Sequence, residues 1–235
     1  MKAIIKKELR LYFATPAAYV FVGIFVCVSA LLFSVFNLMY ANASISVIFS
    51  KLPYVFVIMI PILTMRLMAE ERALKTDQLL LTAPISVSAI VWGKFVAALA
   101  VFGIAMAIML MYPVILSFYS EVEWGIVVTN YLGFFLMGAA FTAIGIFISS
   151  LTENQLISAI VTIAVLFAAF IVSYMVDSTG IKVIDIALSV VSVPKHFDTF
   201  FIGIIDFAEI IYYLSIASVF LILTVSRTEK RRISR

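Results

Sequence analysis

Between two long apolar runs lies the stretch Glu70-Glu71-Arg72, Lys75-Thr76-Asp77, then Leu79-Leu80-Leu81-Thr82-Ala83-Pro84. Acids and cations mix there without a histidine or a cysteine, so the chemistry on offer is recognition of another protein. Thr76 is a candidate helix cap, because a threonine hydroxyl accepts from an orphan backbone amide. The three leucines give the helix that follows an apolar face, and Pro84 ends it. A short amphipathic helix of this kind, lying along a membrane, passes a push from a soluble partner to the apolar run before it. An ordinary solvated loop whose charges only set orientation is the competing reading of the same residues.

Other chemistries lack their parts. A phosphate-cradling loop needs G-x-x-x-x-G-K-[S/T], and the one Gly-Lys pair, Gly93-Lys94, is followed by Phe95 with no glycine at the required spacing before it. Neither H-E-x-x-H nor G-x-S-x-G occurs, and His196 is the only histidine, so a conventional metal centre and a serine hydrolase are both disfavoured. His196 reads as an interfacial side chain, and Cys27 as a small buried hydrophobe inside an apolar run. The apolar runs are almost free of charge, with Asp206 and Glu209 at the edge of the last. An ion-coupled carrier or an intramembrane enzyme places ionisable groups at mid-membrane. Neither class fits, and energy for any transport enters from outside the chain.

The elements that position the charged stretch follow from composition. The chain has 235 residues, 65% hydrophobic and 12% charged, with a mean hydropathy of +1.20. A soluble domain carries about a quarter of its residues as charged side chains. Lipid is therefore the solvent, and at about 20 residues per crossing six spans fit. They are expected near Ala17 to Tyr40, Pro53 to Met68, Val91 to Phe118, Ile126 to Ser149, Leu156 to Val176 and Phe207 to Ser226. The second is short and contains Pro61. The fourth carries Gly133, Gly138, Ala139, Ala140, Thr142, Ala143 and Gly145, a small-residue spacing that lets helix backbones approach closely, here read as packing within one subunit. The fold class is all-α integral membrane protein, with one transmembrane domain over residues 1–235.

An even number of spans puts both termini on one side. Thirteen of the sixteen Lys and Arg residues then share that side, and only Lys51, Lys182 and Lys195 lie opposite. Cytoplasmic loops retain Lys and Arg, so both ends are expected in the cytoplasm. Residues 1–16 read as an amphipathic interfacial helix, with Ile4, Ile5, Leu9, Tyr12 and Phe13 on one side and Lys2, Lys6, Lys7 and Arg10 toward anionic lipid. Residues 66–90 form the charged cytoplasmic loop. Tyr40, Tyr54, Phe118, Tyr119 and Trp124 suit the outer interface. In the outer segment 177–206, Ile181 to Val193 and His196 to Ile205 read as short helices at or dipping into the outer leaflet.

At these residues the chain resembles the membrane subunits of type-2 ATP-binding-cassette (ABC) exporters. More narrowly, it is similar to a bacterial branch that includes gliding-motility permeases and the membrane subunit serving nitrous-oxide-reductase maturation. The resemblance rests on LTMRLMAEERALKTDQLLLTAPIS followed by WGK, on ISSLTENQ after the fourth span, and on SVPKHFDTFFIGIIDFAEIIYYLS before the last. Lys75 departs from the pattern, which usually has Gly before Thr76. The resemblance implies an N-terminal interfacial helix, a cytoplasmic coupling helix between the second and third spans, and re-entrant outer helices before the sixth. It also implies residence in a bacterial cytoplasmic membrane and a second permease subunit, identical or not. Each permease would rest on an ABC ATP-binding subunit that binds the ATP and Mg; this chain would hold no cofactor and no nucleic acid, and would touch membrane lipid. Carried over by position, Glu70, Glu71 and Arg72 end the second span. Thr76, Asp77, Leu79, Leu80 and Thr82 form the coupling helix, and Glu153 and Asn154 are a lesser second contact. The function implied is a non-catalytic permease coupling ATP hydrolysis to export. The alternative is a scaffold that anchors an ATPase or assembly machine without passing substrate.

Overall fold

The computed structural model describes residues 1–40, 42, 44–76, 85–175 and 192–233, and among them every regular element is a helix. Six helices are long and apolar enough to cross a membrane: Pro16–Met39, Ser46–Ala73, Val87–Ser117, Trp124–Ser149, Gln155–Met175 and Phe207–Arg232. These are called the first to sixth spans below. The N-terminal helix, Lys2–Ala14, stops where Thr15 takes an extended backbone (φ −111°, ψ 159°) ahead of Pro16. A residue before proline is pushed out of the helical region, and proline at the first helical turn loses no hydrogen bond. The Thr15-Pro16 step thus separates the N-terminal helix from the first span.

The second span is longer than its apolar core indicates. It runs 28 residues and carries Pro53 and Pro61 inside the helix. At 1.5 Å per residue that is about 42 Å, more than the roughly 30 Å of hydrocarbon. Its charged last turns therefore overhang the apolar layer, where water or other protein groups can meet them. The third span breaks at Leu110, between Val87–Met109 and Met111–Ser117. Pro113 explains the break, since its ring excludes the carbonyl four residues earlier, that of Met109. The first span ends in a π-helical segment, Ser34–Met39, in which the buried Asn37 amide donates to the carbonyls of Asn42 (2.7 Å) and Ser44 (3.0 Å).

The fourth span is the hub. In its apolar window 83% of residues are buried, against 22% for the first, fifth and sixth spans. Its small residues receive neighbours from this same chain: a Cβ built on Gly133, Gly138 or Gly145 would meet Phe200, Phe102 or Thr64 at 2.5, 2.4 and 2.3 Å. In lipid, close backbone approach of this kind drives helix association where a hydrophobic effect is lacking. Mid-bundle, Phe25, Phe56, Phe102 and Phe134 bring the first four spans together, Phe56 stacking on Phe134 at 4.3 Å and Phe102 meeting Phe56 edge-on at 5.5 Å. Such pairs add about 0.5–1.5 kcal/mol each beyond burial. Cys27 is exposed on the first span and not part of this core, which corrects the expectation that it is buried.

In the described part of the outer segment, regular structure is shorter than expected. His196 to Ile205 contains a 3-10 turn, Lys195–Phe197, and a four-residue helix, Asp198–Phe201. Phe200 is fully buried, and the Phe201 carbonyl accepts from Ser46 Oγ at 3.3 Å, while Asn130 Nδ2 donates to Ser46 Oγ at 3.2 Å. This segment is therefore tied to the second and fourth spans. Most of Ile181 to Val193 lies outside the described residues. His196 pairs through Nδ1 with Glu209 and stacks on Tyr212. Tyr40, Tyr54, Phe118, Tyr119 and Trp124 are all exposed, as interfacial anchors require.

The glycine contacts supply a test. Gly138→Ala places a methyl against Phe102 and is expected to destabilise by about 1–3 kcal/mol. Gly103→Ala, which meets nothing within 4 Å, is expected to be neutral or slightly stabilising. Thermal unfolding of the two variants in detergent separates close packing from helix propensity.

Candidate functional site

The N-terminal helix and the last turns of the sixth span lie at one end of the bundle, the terminal face, where Arg231 meets Glu153 and Arg232 donates to the Ile85 carbonyl. There the N-terminal helix lies against the last turns of the second span and the first turns of the third. The contact begins at Gly93, where an added Cβ would sit 2.7 Å from Ile4 Cγ2. The missing side chain lets the N-terminal helix come close enough for its next inward residue, Glu8, to reach Lys94. Ser86 starts the third span by accepting the Ala89 amide with its hydroxyl, at 3.3 Å. That cap places Gly93 and Lys94 about two turns into the helix.

Lys94 is the centre of the site. Its side chain is 1% exposed, and its ammonium reaches Glu8 Oε1 at 3.1 Å, Glu71 Oε2 at 2.8 Å and the Leu67 carbonyl at 2.7 Å. An ammonium has three protons to give, and here three acceptors take them. Lys7 closes the network from the water side, at 2.7 Å from Glu71 and 3.4 Å from Glu8. Two lysines thus face two glutamates, drawn from the N-terminal helix and the second and third spans. Burial works against the charge on Lys7, but its bond and attraction to Glu71, with help from Glu8, outweigh that and hold its ammonium above the ordinary lysine value.

Three further bonds fasten the same elements. Tyr12 donates its buried hydroxyl to the Leu63 carbonyl at 2.6 Å, and burial, with Glu8 nearby, keeps that phenol well above its usual range. Arg66 donates to Thr15 Oγ1 at 2.7 Å and to Glu70 Oε2 at 2.9 Å. On the other side of the second span, the fully buried Ser149 hydroxyl enters its backbone, donating to the Met65 carbonyl and accepting from the Met68 and Ala69 amides at 2.9, 3.2 and 3.1 Å. A cavity of about 260 Å³, lined in part by Leu11, Leu74 and Thr76, adjoins the charged groups.

The residues expected to form the docking surface are placed as follows. Glu71 is the second acid of the Lys94 network, whereas Glu70 folds back on Arg66. Arg72 reaches the Thr152 carbonyl at 3.4 Å, joining the second span to the turn after the fourth. Thr76 donates its hydroxyl to the Glu71 carbonyl at 3.3 Å, so it finishes the second span. Glu153 pairs with Arg231 of the sixth span at 3.2 Å. Asn154 caps the fifth span, its Oδ1 accepting from the Leu156 and Ile157 amides at 2.8 and 3.4 Å. Asp77, Leu79, Leu80 and Thr82 lie outside the described residues.

Two expectations change here. The spans are not free of buried charge, since Lys94 is enclosed within the third. The inward face of the N-terminal helix is Ile4, Glu8 and Tyr12, while Phe13 is exposed. Residues four apart stack on one side of a helix, so that spacing carries Glu8 inward. The available signal was Glu8 itself, the one acid among the helix's basic residues and in line with Ile4 and Tyr12. Lys75 adds a third observation: with φ +57° it terminates the second span in the left-handed conformation, which glycine adopts without strain.

Lys94→Met leaves two carboxylates sharing Lys7 and is expected to destabilise by about 3–5 kcal/mol. Adding Glu8→Leu is expected to restore part of that loss, because the uncompensated acid goes with it; equilibrium unfolding in detergent measures both. Lys75→Gly relieves a left-handed lysine and is expected to raise stability by about 1 kcal/mol, read the same way.

The comparison with curated proteins finds no match. The family model described as ABC-2 family transporter protein matches residues 38–226, taking in Glu71, Lys94 and Ser149 and leaving out the N-terminal helix. Four complete apolar helices, the second to the fifth spans, most of the sixth, and the Ser149 contact all fall within the matched range. The chain therefore belongs to the ABC-2 family transporter proteins, as a multi-pass membrane permease subunit of an ABC transporter.

Proposed function

We propose that this permease couples ATP hydrolysis by separate ATP-binding subunits to export of a substrate across a bacterial cytoplasmic membrane. In this reading the terminal face is the cytoplasmic one, as the thirteen-to-three division of cations supports. Residues 77–84 form the coupling helix, with Leu79 and Leu80 seated in the ATPase and Asp77 and Thr82 beside them. ATP and Mg belong to that partner, and a second permease subunit completes the pathway. The relatives in gliding motility and nitrous-oxide-reductase maturation are the branch that the motifs favour.

The observation that carries the reading is the tie through Lys94. The coupling segment joins the end of the second span to the start of the third. The network binds those two helices to each other and to the N-terminal helix. A displacement of residues 77–84 is then delivered to three elements moving together, not lost in bending one of them. Ser149 and Arg72 extend the same connection to the fourth span and the turn before the fifth. Glu153 and Asn154 support the arrangement by holding that turn, and Glu153 keeps enough exposure for a lesser contact with the partner.

Leu79→Asp combined with Leu80→Asp is the direct test, made by co-purifying the chain with its ATP-binding subunit. The expected result is loss of the complex by about tenfold or more, since an apolar anchor in a protein interface contributes about 2 kcal/mol or more. A complex that stays intact, with substrate-coupled ATP turnover unchanged, overturns the coupling role.

A further inference from the structure

A second cavity, of about 420 Å³, lies at the opposite face between the second and fifth spans, bounded by the Lys195–Phe197 turn and the Asp198–Phe201 helix. We propose that it binds an anionic amphiphile, with a phosphate or carboxylate headgroup on Lys51 and Lys195 and an apolar chain against the fifth span. As a binding site this stands alone; as a station for exported cargo it rests on the permease reading above.

Charge placement is the first support. Among the described residues, the opposite face carries Lys51 and Lys195 as its cations. Both line this one cavity, and Asp198 is the carboxylate that accompanies them. The described lining thus has one more cation than acid, on a face that is otherwise rich in acids. Hydroxyls share the lining: those of Tyr54 and Tyr174, which hydrogen-bond to each other across the two spans and so keep one proton to give, that of Ser173, and that of Ser50, which donates to the Val47 carbonyl. An anionic oxygen held by an ammonium and hydroxyls gains charge-assisted hydrogen bonds, about twice as strong as neutral ones.

The apolar half of the ligand follows from the floor and its continuation. Pro53, Phe170 and Phe201 line the cavity, and Tyr54 lies 5.1 Å from Phe170, ring centre to ring centre. From Tyr174 the exposed residues Ile171, Phe167 and Ile163 run down one side of the fifth span, at the spacing that stacks side chains on a helix face. A headgroup in the cavity at the depth of the aromatic belt has an unbroken apolar track for its chain. A small hydrophilic anion would leave that track unused.

Native mass spectrometry of the purified chain, without any ATPase, tests the site with phosphatidylglycerol, phosphatidylcholine and inorganic phosphate as probes. Phosphatidylglycerol is expected to bind in preference to phosphatidylcholine and to resist displacement by inorganic phosphate. Lys51→Gln with Lys195→Gln is expected to weaken it about tenfold or more, the factor attached to one lost charged hydrogen bond. Lys51→Arg with Lys195→Arg is expected to retain it, which controls for folding, and Lys2→Gln with Lys6→Gln at the terminal face is expected to leave it unchanged. Equal binding of the two lipids, displacement by phosphate, an unaffected glutamine pair, or an equal loss in the terminal-face control each overturns the proposal. Since no ATPase is present, these outcomes leave the coupling role of Leu79 and Leu80 untouched.

Discussion

One ammonium group organises the terminal end of this bundle. A lysine cannot be enclosed in a low-dielectric interior unless its charge is met and its protons are accepted. Lys94 satisfies that demand with a carboxylate from the N-terminal helix, a carboxylate from the second span and a backbone carbonyl one turn earlier in that span. Each acceptor comes at a set distance, so the three helices have one mutual register. Against an apolar replacement of the same shape, a buried ion network adds little net stability. Its effect is geometric, because sliding any one helix past the others strands a charge.

The second span shares in all three layers of the bundle, and each layer uses a different interaction. At the terminal face it is held by ions and by the Ser149 hydroxyl. In the middle it contributes Phe56 to the aromatic cluster and Thr64 to the notch at Gly145. At the opposite face Ser46 meets Asn130 and the Phe201 carbonyl. The fourth span supplies one counterpart in each layer: Ser149, then Phe134 and Gly145, then Asn130. This division follows from the solvent: mid-membrane contacts cannot draw on the hydrophobic effect and rely on close packing. Directional polar contacts gather toward the ends, where the chain turns.

The sequence was legible wherever one local rule dominated. Six apolar runs and the end of the N-terminal helix before Pro16 follow from hydropathy and from proline's fixed geometry. So does the exposure of Tyr40, Phe118, Tyr119 and Trp124. Gly93-Lys94 was visible as a pair, without the glycine spacing of a phosphate loop. Its use, close approach by glycine followed by a buried cation, depends on a helix ninety residues earlier. Glu8 was hidden for the same reason: among Lys6, Lys7 and Arg10 it reads as part of a solvated charged face. Thr76 and Asn154 show the reverse, since both are polar residues near the expected docking region whose side chains finish or cap a span.

Composition and pattern alone determined the solvent, the number of crossings and the side on which the cations collect. These depend on transfer free energies and charge counts, which add along a chain without reference to its partners in space. Only the tertiary structure decided which charges are buried, which glycines receive a ring, and that Lys51 and Lys195 share one cavity. Those outcomes depend on distances between residues far apart in sequence, and a pairwise interaction has no magnitude until the fold sets its separation and its dielectric.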